Sequence, residues 1–117
     1  MRVLAGVVMA LALTGPAPGN VGGCSSTTAV ANANQFCIDR SFWECRRDQF
    51  ARRITDEQYN QCLVAIDAAC SGFAWPAGCA PTPPQGEACL LLLQRTDLAS
   101  IPTPELLTMY PDCNLCR

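Results

Sequence analysis

Nine cysteines in 117 residues are the side chains of this chain best suited to chemistry. A thiolate can act as a nucleophile, hold a soft metal or be oxidised to cystine, and the compartment decides which. Other catalytic equipment is scarce. Histidine, the commonest general base and zinc ligand, is absent, and all eight basic residues are arginine. There is no G-x-S-x-G elbow and no phosphate-cradling glycine loop. Asp39, Glu44, Asp67 and Glu87 are placed together by no motif, so a glycosidase-like carboxylate pair is not indicated. These absences predict a non-enzyme without catalytic residues, cofactor or metal.

The first residues bear on the compartment. Met1-Arg2 precedes an apolar run from Val3 to Leu13 and a Gly/Pro/Ala-rich exit, the pattern of an export signal. The run is too short to span a bilayer as a permanent helix. Export leads to an oxidising space where cysteines pair and supplement a small core. Roughly 94–98 residues remain after the leader, one small domain for which disulfides supply part of the stability. The formal charge is -2 for the full chain and -3 once Arg2 leaves, which argues against a general nucleic-acid binder.

Two exits from the leader compete. Ala17-Pro18-Gly19 offers small residues to a general signal peptidase, with cleavage after residue 19. Val21-Gly22-Gly23-Cys24 resembles the lipobox of bacterial lipoproteins, which implies residues 1–23 as signal peptide and Cys24 as the lipidated residue. It departs from the family pattern in Gly22 and in the distance between the box and the apolar run. Parity favours it, because lipidating Cys24 leaves eight cysteines to pair. Residues 24–34, uncharged and without an apolar face, then read as a flexible tether ahead of a domain over 35–117.

Cys37, Cys45, Cys62 and Cys70 form two Cys-x7-Cys pairs. Cys45/Cys62 and Cys37/Cys70 share one midpoint, between Arg53 and Ile54. An antiparallel helical hairpin turning there would place Cys37 opposite Cys70 and Cys45 opposite Cys62. Thr55-Asp56-Glu57-Gln58 is a capping box for the second helix. Tyr59, Cys62, Leu63, Ile66, Ala69, Cys70 and Phe73 then recur at helical spacing until Ser71-Gly72. The first helix, Gln35 to Arg52, has a broader stripe. The hairpin resembles the twin Cys-x9-Cys hairpins of the coiled-coil-helix-coiled-coil-helix proteins, although the spacing here is seven; the likeness carries geometry and no function.

Ala74 to Pro81 is a loop. Thr82-Pro83-Pro84-Gln85 starts another helix, continuing through Glu87 to Arg95 with Cys89 along it, and Thr103-Pro104-Glu105 a short one through Met109. The expected class is all-α: a disulfide-rich hairpin with one or two further short helices. Leu90, Leu91, Leu92 and Leu93 cover most of a helix circumference, so that helix is either central or offers a surface to a partner protein. Arg40, Arg46, Arg47, Arg52 and Arg53, interspersed with Asp39, Glu44 and Asp48, read as a solvated face rather than an anionic-lipid patch.

The closing Cys113-x2-Cys116 is open to three readings: structural disulfides, a thioredoxin-like redox pair, or half of a zinc site with Cys79 and Cys89. Cys79, Cys89, Cys113 and Cys116 allow three pairings, and two bridges tying the tail to the third helix and its loop are expected. The whole chain resembles the small uncharacterised Cys-rich exported proteins and lipoproteins of GC-rich Gram-negative bacteria. The resemblance rests on the leader, the cysteine-bearing helices and the closing Cys-x2-Cys, and implies no activity. The expectation is a lipid-anchored envelope module facing the outer membrane or periplasm, or else secreted, that binds or supports another envelope or extracellular component, with any protein partner unknown. The alternative is a thiol-disulfide or metal-handling protein using the C-terminal cysteines.

Overall fold

Asn32 starts the fold by accepting the Gln35 N–H on its side chain, an N-cap that opens helix α1, Ala33–Phe50. The structure is a computed structural model describing residues 29–116. The expected signal peptide, Cys24 and its lipidation, and the first residues of the expected tether lie outside the described residues. The last tether residues do not behave as a spacer. Ala31 donates its N–H to the Pro81 carbonyl at 2.8 Å and accepts from Trp75 Nε1 at 2.7 Å, while Asn34 Nδ2 donates to the Cys70 carbonyl at 2.9 Å. The domain therefore begins near Ala31 rather than at residue 35. The uncharged composition hid that Asn32 is a cap and Asn34 a clasp.

The helix α1 serves two cores at once, which explains its broad stripe. At about 100° per residue, Phe36, Trp43 and Arg47 share one face and Cys37, Ile38 and Cys45 another, roughly a quarter to a half turn away. The first face packs with Cys89, Leu92, Leu93 and Leu106; the second joins Ile66, Cys70 and Tyr59. The helix ends in a Schellman motif: Arg52 N–H bonds to the Gln49 carbonyl and Arg53 N–H to the Asp48 carbonyl. Arg52 takes φ 57° there, the left-handed conformation this reversal needs.

The return leg opens on the Thr55 capping box, made in both directions with Gln58. One helix was expected through Cys70. Instead, α2 (Asp56–Val64) and α3 (Ile66–Cys70) are separated at Ala65. Beyond the break, Ile66 and Cys70 are buried against α1, whereas Val64 just before it is 83% exposed. Ala69 is also exposed, and Phe73 leaves the hairpin to meet Trp75 edge-on at 5.6 Å between ring centroids.

After the loop, Thr82 and Gln85 form a second capping box and Pro83 occupies the first turn of α4, Pro83–Leu93. A 3₁₀ turn at Thr96–Leu98, helix α5 (Thr103–Met109) and a second 3₁₀ turn at Pro111–Cys113 complete the chain. No strand occurs among the described residues, so the class is all-α. Replacing Thr55 or Thr82 by Ala should each cost about 1 kcal/mol, read as a lower urea midpoint at unchanged m-value.

The leucine run lies mostly in the core. Leu92 and Leu93 are buried and Leu90 packs against them, leaving Leu91 as the single exposed member, at 55%. Cys89, Leu92 and Leu93 fall within about a 100° arc, and Leu91 points the opposite way.

Candidate binding cleft and its disulfide frame

Four disulfides frame the molecule. Cys37–Cys70 and Cys45–Cys62 staple α1 to the return leg, and Cys79–Cys116 and Cys89–Cys113 tie the tail to the loop and to α4. In each half one bridge is nested within the other, and no disulfide joins the halves among the described residues. Cys113 and Cys116 are bonded to different partners, so the closing Cys-x2-Cys is not itself a disulfide. Among the described residues, no three His, Cys, Asp or Glu side chains converge as metal ligands would.

Two arginines connect what the disulfides leave separate. Arg47 is 3% exposed, a correction to the expected solvated face. Its Nε donates to Thr103 Oγ1 at 3.3 Å, and its Nη2 donates to the carbonyls of Leu98 at 3.2 Å and Ile101 at 2.6 Å. Arg53 pairs with Asp48 at 2.7 Å and donates from Nη1 to the Ala99 carbonyl at 2.7 Å. The Schellman turn aims Arg53 at this loop. Arg47 Nη1 and Arg53 Nη2 are buried without a hydrogen-bond partner. Burial lowers the Arg47 pKa, and the neighbouring Arg53 lowers it further, while Asp48 and Glu44 oppose the shift. Arginine titrates so high that the group stays cationic at neutral pH.

Between the end of α1 and the exit of α4 lies a cleft of about 280 Å³. Trp43, Phe50, Leu93 and Ala99 give it apolar walls; Arg46, Arg47 and Arg95 bring positive charge, and Gln94 and Thr96 are polar. Among the described residues Arg46 hydrogen-bonds only the Gln49 side chain, at 3.0 Å. Arg95 is bonded to Asp97 at 2.7 Å, which raises the arginine pKa and holds Asp97 below the usual carboxylate range. The arrangement can accept an apolar group and an anion side by side. Its lining holds no carboxylate, thiol or imidazole.

Comparison with protein-family models, with curated proteins and with solved structures finds no match to this chain. Sequence reasoning brought out the cysteines but missed Arg47 as a buried anchor and missed the cleft. The usable signal was the seven-residue and four-residue spacing of Phe36, Trp43 and Arg47, which puts the arginine on an apolar face.

Proposed function

We propose that this chain is a non-enzymatic, exported, lipid-anchored binding module of the bacterial cell envelope. The observation carrying the reading is the complete pairing of the eight described cysteines, which leaves Cys24 as the one cysteine of the sequence outside the four disulfides. Multiple disulfides are consistent with an oxidising, exported location. The Val21-Gly22-Gly23-Cys24 box then supplies a use for the odd thiol. The rigid frame would hold its cleft at the membrane surface.

The test is intact mass of the exported protein, with and without thiol alkylation. Full oxidation and an acyl adduct on Cys24 are expected, and Cys24→Ala should move the protein to the soluble fraction. A mature N-terminus at Asn20 without acyl mass would overturn the anchor. Two or four persistently free thiols would overturn the scaffold.

A further inference from the structure

We infer that the cleft between α1 and the α4 exit binds a small amphiphilic monoanion: a carboxylate carrying a single ring or a medium-length chain. The inference rests on the binding-module reading and names the ligand chemistry of its cleft. Size sets the first limit. About 280 Å³ is nearly twice the roughly 150 Å³ cavity that takes up a benzene ring, and too little for a long lipid chain. Trp43, Phe50, Leu93 and Ala99 would take the apolar body.

Charge sets the second limit. The chain as a whole is acidic, at -2, yet two guanidiniums at this cleft have no carboxylate hydrogen-bond partner among the described residues. Arg46 bonds the neutral Gln49 side chain, and Arg47 bonds a hydroxyl and two carbonyls. Arg47 also keeps a buried donor, Nη1, with no acceptor. That atom is closed to solvent, so Arg47 acts on the cleft through its charge, which adds to that of Arg46 in favouring an anion. Phe50 stands at the cleft 61% exposed, where covering it with ligand also removes apolar surface from water.

The experiment titrates octanoate into the exported full chain carrying Cys24→Ala, following the two indole N–H signals by NMR. Trp43 should shift saturably, while Trp75, bonded to Ala31 and not among the residues lining the cleft, should not. Arg46→Glu should weaken binding about tenfold or more, because a charge-assisted hydrogen bond is replaced by repulsion. Octan-1-ol should bind at least about tenfold more weakly than octanoate on the same ground. Arg46 is exposed, so this variant should fold; an unchanged melting temperature checks that. Equal binding of acid and alcohol, or octanoate binding unchanged by Arg46→Glu, would overturn the inference. So would association with anionic phosphatidylglycerol vesicles without saturable octanoate binding, which would make the arginines a membrane contact. The titration reads the cleft whether or not Cys24 is acylated, so its failure is distinct from failure of the anchor.

Discussion

Replacing Arg47 by leucine is expected to lower unfolding free energy by about 3–5 kcal/mol, a large share of what a domain this small possesses. The side chain is an internal strut. Its removal leaves the Ile101 carbonyl and the Thr103 hydroxyl without this donor, and the Leu98 carbonyl with only the Ile101 N–H, in a partly buried place. Leucine fills space but returns no hydrogen bond. Arg47→Lys keeps the charge and should recover only part of the loss, since one ammonium cannot span the same acceptors as a planar guanidinium. Urea denaturation measures both. A loss below about 1 kcal/mol for the leucine variant would show that the loop holds itself.

Removing both bridges of the second half, with Cys79, Cys89, Cys113 and Cys116 all changed to Ala, should cost about 6 kcal/mol and melt residues 79–116 as a folded unit. Nesting makes the contributions interdependent. With Cys89–Cys113 in place, Cys79–Cys116 closes only ten residues on one side and three on the other. Removing the outer pair alone should therefore cost about 3 kcal/mol, less than its separation of 37 suggests. Hydrogen exchange resolves the halves. Protection should vanish in α4 and α5 of the quadruple variant while the α1 staples persist, and wild-type protection throughout would refute the accounting.

Much of the frame was legible in the sequence because it depends on local or symmetric features. The shared midpoint of Cys37/Cys70 and Cys45/Cys62 gives a hairpin register by arithmetic. Thr55–Gln58 and Thr82–Gln85 announce helix starts through bonds made within four residues. The fate of Arg47 was not legible in that way. A helix and turn carrying five arginines and three acids from Asp39 to Arg53 look solvated until their neighbours are known, because the loop at 98–103 that buries Arg47 lies some fifty residues away. Leucines 90–93 posed the same difficulty: periodicity cannot choose between core and surface for four adjacent apolar residues, and only packing shows that Leu91 alone faces out. The break at Ala65 has no local signal such as Gly or Pro.

The absence of a bridge between the halves bears on how the cystines form. Eight thiols pairing freely have roughly a hundred connectivities, whereas two self-contained quartets have three apiece. A chain entering an oxidising space from its N-terminus presents all of Cys37 to Cys70 before Cys79 emerges. The near pair, Cys45 and Cys62, can close first and bring Cys37 up to Cys70. The second quartet emerges in the same order but without one safeguard: Cys37 and Cys45 are held about 12 Å apart once α1 forms, whereas Cys79 lies in the loop before α4. Cys79 and Cys89 arrive ten residues apart, well ahead of the tail cysteines each must finally meet. A premature Cys79–Cys89 bond is the natural error, and undoing it requires thiol–disulfide exchange. Disulfide isomerase would therefore matter for the C-terminal half and be largely dispensable for the hairpin.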